Sequence, residues 1–242
     1  MDKILKIFPT PQLLAEAFAM ELVTQIKKDR GMSKNYTLSL SGGNTPKILF
    51  SVLAEKYSES VDWNFVHFFW GDERCVPSDN PESNYGTAYQ ILLEKINISD
   101  SNIHRITGDA DPEKEAARYS QEIFNFTRSY NNLPLFDHII LGMGDDGHTA
   151  SIFPRNIELL YSKKICDVAI HPSTGQKRIT ITGGVINNAD NITFLVSGQS
   201  KAVVIENIFN KNPLAENYPA AHVVPDHGTI TWFIDEKAGS SL

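Results

Sequence analysis

The fold class is decided by the stretch Tyr36-Thr37-Leu38-Ser39-Leu40-Ser41-Gly42-Gly43-Asn44-Thr45-Pro46. Apolar and polar residues alternate from 36 to 40, and this period of two predicts a β-strand. The paired glycines predict a tight turn, and Thr45 followed by Pro46 predicts a helix cap and the first helical residue. A strand, a turn and a helix in immediate succession are typical of α/β proteins with a parallel sheet.

Strand and helix patterns alternate along the rest of the chain. Residues 66–70 are nearly all apolar, which is typical of a strand that is covered on both faces. Further strands are predicted at 103–106, 136–141, 178–182, 192–196 and 229–234, and helices at 11–26, 46–53, 85–93, 112–126 and 202–208. Gly31 follows the first helix. The chain has no linker, repeat or low-complexity tract, so we expect one α/β domain over residues 1–242 with a mostly parallel sheet and helices on both faces.

The composition narrows the classes of function. The 242 residues include 22 Lys and Arg against 29 Asp and Glu, which gives a formal net charge of −7. We therefore expect no nucleic acid as a partner, because such a partner favours a basic patch. A small anionic substrate remains compatible with this charge, because a pocket can be positive inside an acidic protein.

The two cysteines and the first residues indicate a compartment. Cys75 and Cys166 form no Cys-x-x-Cys pair, so neither a zinc ribbon nor a thioredoxin-like site is expected. Residues 1–8 contain Lys3 and Lys6, and no window approaches the roughly 18 apolar residues of a membrane helix. We expect a cytoplasmic chain with reduced thiols and no membrane contact.

Ligands of open α/β sheets bind beyond the carboxyl ends of the strands, so the loops after strands are the candidate sites. The first is the turn Ser41-Gly42-Gly43-Asn44-Thr45. Its glycines let the backbone approach a ligand, and the free N–H groups of the following helix favour a phosphate. The alternative is an ordinary glycine turn. The spacing matches neither a P-loop nor a dinucleotide fingerprint.

Two further loops carry charged side chains. In Gly71-Asp72-Glu73-Arg74, Arg74 offers a planar fork to a phosphate or a developing oxyanion, and the alternative is a solvated loop whose charges pair with one another. At Gly198-Gln199-Ser200-Lys201, Lys201 is expected in the first turn of a helix. A ligand anion there would compensate its charge, and the alternative is an ordinary surface lysine.

The glycine-rich loop 142–151 places His148 two residues after Asp146. A histidine in such a loop suits general acid–base catalysis near neutral pH, and Asp146 can orient its ring. A solvent-exposed histidine is the alternative. Asp145, Asp146 and His148 are also metal-ligand types, but no further ligand is evident and no metal is expected. Neither a Gly-x-Ser-x-Gly elbow nor a Ser-x-x-Lys motif is present, so no serine nucleophile is expected.

Taken together, these loops resemble the short, bacterial-type 6-phosphogluconolactonases of the glucosamine-6-phosphate isomerase/6-phosphogluconolactonase family. The matching blocks occur in the family's order and cover most of the chain: 40–46, 71–77 with Ser83-Asn84, 142–154, 178–180 and 198–201. The resemblance implies a three-layer αβα sandwich with a modified Rossmann-like sheet, shared with sugar-phosphate isomerases. It also implies hydrolysis of 6-phosphoglucono-δ-lactone in the pentose phosphate pathway without a cofactor. We expect a monomer or a weak homo-oligomer.

The resemblance also suggests roles for single residues. His148 matches the catalytic histidine and is our candidate base, with Asp146 as its orienting partner. Arg74 would stabilise charge at the lactone end, and Asp72 would bind sugar hydroxyls or tune Arg74. The expected phosphate-binding set is Ser41, Gly42, Gly43, Asn44, Thr45, Lys201 and Arg178.

Three positions depart from the family's pattern. Asn44 stands where Ser or Thr is common, Asp145 stands where Glu is common, and Arg155 stands where a glycine is usual. Arg155 leaves the shape of the following loop open and adds a possible cation at the pocket rim. Two alternatives to a lactonase are an isomerase-deaminase, whose Asp-Glu-Tyr and Gly-His-Ile-Ala-Phe-Asn patterns this chain lacks, and a non-catalytic sugar-phosphate sensor.

Overall fold

A computed structural model describes residues 3–30 and 35–242 of the chain. The strands are β1 (Ile4–Phe8), β2 (Tyr36–Leu40), β3 (Val66–Trp70), β4 (Asp72–Arg74), β5 (Arg128–Tyr130), β6 (Leu133–Leu135), β7 (His138–Leu141), β8 (Cys166–Ile170), β9 (Lys177–Ile181), β10 (Asn191–Val196) and β11 (Thr229–Asp235). The helices are α1 (Pro11–Arg30), α2 (Asn44–Tyr57), α3 (Asn84–Ile91), α4 (Pro112–Phe126), α5 (Gly183–Asn187) and α6 (Ala202–Phe209).

The main sheet has six strands in the order β1-β11-β10-β7-β2-β3, and every neighbouring pair is parallel. The parallel sheet predicted from the sequence is thus confirmed. Strands β2, β3 and β7 are buried along their whole length. From β2 the chain first builds outward to β3 and later returns to the other side of β2 as β7. The loops after β2 and β7 therefore flank a topological switch point, which is where open α/β sheets bind ligands.

The helices bury apolar stripes against the sheets. Helix α1 packs against α2 and β11, whereas α4 packs against β8 and β9 of a second, antiparallel sheet with the order β4-β9-β8. Two predicted helix starts are confirmed by their caps. Thr10 Oγ1 accepts a hydrogen bond from the Leu13 amide (3.2 Å), and Asp111 accepts one from the Lys114 amide (3.0 Å).

Several local predictions are wrong. Residues 103–106 form no strand, and Ile103 makes only an isolated parallel bridge to Phe68. By contrast, the strand predicted at 178–182 is confirmed as β9, and it belongs to the antiparallel second sheet. Helix α2 begins at Asn44 rather than after Thr45, because Gly43 adopts a φ of 109° and takes the cap position.

One prediction falls outside the residues that the structure describes. Gly31, predicted to follow the first helix, lies outside the described residues. Within residues 3–30 and 35–242, no helix is long and apolar enough to cross a membrane.

Candidate active site

A cavity of about 430 Å³ opens beyond the carboxyl ends of β2, β7 and β10. Its volume lies within the range of about 300–1,000 Å³ that is common for small-molecule sites. Its lining includes Ser41, Gly42, Gly43, Asn44, Thr45, Asp72, Arg74, Asn84, Gly144, His148, Arg178, Ser197 and Lys201. Every site residue predicted from the sequence is thus in the lining except Asp146, which contacts the lining residue His148.

The turn after β2 presents backbone N–H groups to the cavity. No side chain caps the start of α2 at Gly43, so the first amides of this helix are available to an anion. Gly42 has no room for a side chain, because a Cβ there would lie 1.9 Å from Asn84 Oδ1. Thr45 and Ser197 hydroxyls share a 2.8 Å hydrogen bond, which joins this turn to the loop after β10.

His148 is held by Asp146 in the loop after β7. Asp146 Oδ1 lies 2.6 Å from His148 Nδ1 and also accepts the His148 backbone N–H at 3.1 Å. Burial opposes ionisation of Asp146, but the hydrogen bonds and charge of His148 outweigh it and lower the pKa of this carboxyl to about 2. An ionised Asp146 requires the proton of the neutral ring on Nδ1, which leaves Nε2 as an acceptor.

The surroundings of the ring explain why the loop is rich in glycine. A Cβ on Gly144 would lie 2.1 Å from His148 Nδ1, so only a glycine leaves room for the ring. Gly147 has a φ of 78°, which favours glycine. The His148 ring also packs against Phe153, with 4.8 Å between the ring centroids.

Asp72 is buried and receives two donors that link separate parts of the chain. Ser151 Oγ donates to Oδ2 at 2.6 Å, and Asn84 Nδ2 contacts Oδ1 at 3.3 Å and the Asp72 carbonyl oxygen at 2.9 Å. Asn84 and Ser151 stand in the family-like blocks of the sequence, but neither was predicted as a site residue. The sequence blocks could have indicated both, because Ser83-Asn84 is one of the matching pairs and Ser151 follows His148 by three residues in the block 142–154.

The alternative of a solvated, self-paired loop at 71–74 is wrong. Glu73 is buried and accepts hydrogen bonds from the amides of Arg74, Asn84 and Tyr85, so it anchors the start of α3. Burial raises the pKa of Glu73, and these donors act against that shift. Among the described residues the arginine salt bridges belong to Arg30, Arg118 and Arg128 and not to Arg74, whose Nη1 donates instead to the Glu82 carbonyl at 2.5 Å.

Arg74 and Arg178 are cross-strand neighbours. They pair directly in the antiparallel register of β4 and β9, so their side chains share one face of the second sheet. The Nε atom of each is buried without a hydrogen-bond partner among the described residues. Burial lowers the pKa of Arg178, Asp72 acts against this, and Arg74 adds to the lowering. Because like charges directly opposite each other are unfavourable, the pair favours an anion between or beside them.

Lys201 reaches the cavity from the loop after β10. It ends a short 3₁₀ turn (Gln199–Lys201) that continues directly into α6, so its predicted place in the first turn of a helix is confirmed. Its Nζ forms a salt bridge with Asp145, which also accepts a 2.9 Å hydrogen bond from Ser200. Lys201 is therefore not an ordinary surface lysine.

The remaining residues of interest lie outside the lining. Arg155 belongs to the 3₁₀ segment Pro154–Leu160 and Cys75 packs at the edge of the core. Burial raises the pKa of the Cys75 thiol, which argues against an activated thiolate. Among residues 3–30 and 35–242, no group of three His, Cys, Asp or Glu side chains could hold a metal ion.

Comparisons with known proteins agree with this geometry. Residues 9–232 match the model of the family described as glucosamine-6-phosphate isomerases/6-phosphogluconolactonase. A 6-phosphogluconolactonase of Haemophilus influenzae is 41% identical over 234 residues, which cover 96% of each chain. The crystal structure of a devB protein superposes with a TM-score of 0.93 at 39% identity, and covers both chains fully. The 6-phosphogluconolactonase of Trypanosoma brucei has a TM-score of 0.86 at 26% identity, over 100% of this chain and 99% of its own.

Proposed function

This chain belongs to the family of glucosamine-6-phosphate isomerases and 6-phosphogluconolactonases, and we infer that it hydrolyses 6-phospho-D-glucono-1,5-lactone to 6-phosphogluconate. This reaction is the second step of the oxidative pentose phosphate pathway. The observation that carries the proposal is the Asp146–His148 pair, joined at 2.6 Å, beside a cavity whose lining includes Arg74, Arg178 and Lys201. A base and several cations are what a lactone with a phosphate group requires.

We propose that His148 is the general base. Its Nε2 takes a proton from a water molecule as the water oxygen bonds to C1 of the lactone, and the carbonyl oxygen becomes an oxyanion. The oxyanion then re-forms the carbonyl while the bond from C1 to the ring oxygen breaks. His148 returns the proton to that ring oxygen, which becomes a hydroxyl group. Asp146 keeps the ring in the tautomer that makes Nε2 the acceptor and stabilises the imidazolium between the two transfers.

We propose that the phosphate binds the turn 42–45 together with Lys201 and Arg178. The uncapped start of α2 supplies amide donors, and the two side chains supply charge. Arg74 lies beside Arg178 in the register, and it also lines a smaller recess next to Gly42 and Asn44. We assign Arg74 to the lactone carbonyl oxygen, where negative charge develops. Asp72, held by Ser151 and Asn84, would accept hydrogen bonds from sugar hydroxyls.

The test is a coupled assay with freshly generated lactone, corrected for spontaneous hydrolysis. We expect the wild-type chain to exceed the buffer rate and His148→Ala to lose most of that excess. General base catalysis contributes about 10²–10⁴-fold, which sets the scale of the loss. A wild-type rate equal to the buffer rate would overturn the lactonase proposal. Near wild-type turnover by H148A at neutral pH would overturn the assignment of the base.

We further propose that the chain acts in the cytoplasm as one domain, as a monomer or weak homo-oligomer, and without a cofactor or nucleic acid. The acidic net charge supports the absence of a nucleic-acid partner, and the main sheet supports a single domain because its strands come from both ends of the chain, from Ile4 to Asp235. Light scattering of the purified chain over a range of concentrations tests the oligomeric state.

A further inference from the structure

We propose that Asp145 is a built-in counter-ion of Lys201, which the phosphate group of the ligand must displace before it can bind. This inference rests on the proposed function, because it concerns the phosphate end of the same cavity. It assigns to Asp145 a role in setting affinity for phosphorylated ligands, separate from the Asp146–His148 pair next to it in the sequence.

Asp145 contacts both Lys201 and Ser200. Its carboxylate forms a salt bridge with Lys201 Nζ, and its Oδ1 accepts a 2.9 Å hydrogen bond from Ser200 Oγ. Asp145 thus holds both the ammonium group of Lys201, which lines the cavity, and the hydroxyl of the neighbouring Ser200. The hydrogen bonds from Lys201 and then Ser200 lower the pKa of Asp145, so the carboxylate stays charged at neutral pH and competes with any other anion for this lysine.

Lys201 and Asp145 differ in their exposure to solvent. The Lys201 side chain is 18% exposed and lines the cavity, whereas the Asp145 side chain is 67% exposed and lies outside the lining. The carboxylate can therefore swing into water at little cost, while the ammonium group stays at the cavity wall. Asp145 is the partner that moves away when a ligand arrives.

The charges decide the direction of the exchange. A phosphate monoester carries a charge of about −1.5 to −2 at pH 7, and the uncapped start of α2 lies in the same lining. The Asp145 carboxylate carries a single charge and lies outside the cavity lining. The phosphate therefore replaces Asp145, and a retained Asp145 would repel it. Each binding event must break one partly exposed ion pair, which weakens the apparent affinity.

Binding of 6-phosphogluconate and of inorganic phosphate, measured by calorimetry, tests the inference without turnover. Asp145→Asn removes the charge but keeps the size and an acceptor for Ser200. We expect D145N to bind both ligands about two- to fivefold more tightly, which is the scale of one partly exposed ion pair. Asp145→Glu keeps the charge and should bind like the wild type. Asp167→Asn is the control for net charge, because Asp167, on β8 and outside the cavity lining, forms a partly exposed ion pair with Lys164.

The outcomes separate the two proposals. Weaker binding by D145N would mean that Asp145 orients Lys201 for the ligand, and this would overturn the inference. Unchanged binding by D145N, or an equal gain in D167N, would overturn it as well. A wild-type chain that binds 6-phosphogluconate but hydrolyses no lactone above the buffer rate would overturn the lactonase proposal alone.

Discussion

Replacement of Gly144 by alanine tests the proposed catalytic pair, because the added methyl group crowds Asp146 and His148 without changing either residue. A Cβ at this position would lie 2.1 Å from His148 Nδ1, 2.2 Å from Cε1 and 2.6 Å from Asp146 Oδ1. Ordinary contacts of a Cβ begin near 3.4 Å, so the ring must retreat by about 1.3 Å, the difference between 3.4 and 2.1 Å. Because a misplacement of about 1 Å can cost about 10²-fold in rate, we expect kcat/KM to fall about 100-fold. That loss corresponds to about 2.7 kcal/mol of transition-state stabilisation.

The fold should tolerate this change. The crowded atoms belong to two side chains, and the backbone hydrogen bonds of Gly144 to His148 (2.9 Å) and from Gly147 (3.1 Å) do not depend on a missing Cβ. The assay is lactone hydrolysis with kcat and KM measured separately, alongside thermal unfolding. Gly184→Ala, on α5, is the matched control, because its Cβ would meet its nearest atom, Leu133 Cδ1, at an ordinary 3.6 Å. A G144A variant that keeps its fold and hydrolyses lactone like G184A would refute the proposed role of the Asp146–His148 pair.

Four more predictions concern protonation and charge. Asp146→Asn should lower kcat by about 10²-fold or more, because the base loses its orienting carboxylate, and an unchanged kcat would contradict this. The pKa of Asp146 is about 2, against an ordinary 3.8, so its ionised form stabilises the fold above pH 3.8 and this contribution disappears as the pH falls through about 2. The free energies of unfolding of D146N and the wild type should therefore converge near pH 2. Arg178→Ala should mainly raise KM and Arg74→Ala should mainly lower kcat, and steady-state kinetics showing the reverse would exchange their roles. Burial lowers the pKa of His138 to about 3, so the unfolded chain binds an extra proton below about pH 6.5 and acid destabilises the fold. The free energy of unfolding in urea should therefore fall more steeply between pH 6.5 and 3 in the wild type than in His138→Gln. Parallel pH dependences of the two proteins would contradict this prediction.

The sequence predicted the main sheet where local pattern and burial agree. Strands β2 and β3 are buried on both faces, and their apolar or alternating residues were sufficient to identify them. Strand β1 was missed because it lies at the sheet edge, where Ile4 and Ile7 remain about half exposed. Its partner β11 follows more than 220 residues later, as the pairing of Ile4 with Thr231 illustrates, so no local sequence pattern predicts the pairing.

The second sheet could not be predicted for a similar reason. Strand β4 has only three residues, and it is a strand because Arg74 pairs with Arg178 about a hundred positions away. The sequence identified both arginines as candidates, but it could not show that they are neighbours. The structure adds that their side chains share one face of the second sheet, because they pair directly in the register of β4 and β9.

The candidate site was predicted best where its partners are close in sequence. The spacing of Asp146 and His148 indicated their contact, which the structure describes at 2.6 Å. The contacts of Asp72 with Ser151 and Asn84 join segments that lie 79 and 12 positions apart, and residue types alone do not predict them. The pairing of Lys201 with Asp145 bridges 56 positions and was likewise beyond the reach of local pattern.

The net charge of −7 does not determine the sign of the ligand, because the cavity has a charge balance of its own. Among the lining residues Asp72 is the one carboxylate, whereas Arg74, Arg178 and Lys201 are the basic side chains. The charge of Asp72 is met by donors from Ser151 and Asn84, so it offsets the cations less than a free carboxylate would. Repulsion from distant surface carboxylates is screened beyond about 10 Å at 0.1 M salt, while attraction inside a partly buried cavity is screened much less. An acidic protein can therefore bind a sugar phosphate, because the ligand responds to the lining of the cavity more strongly than to the molecule's total charge.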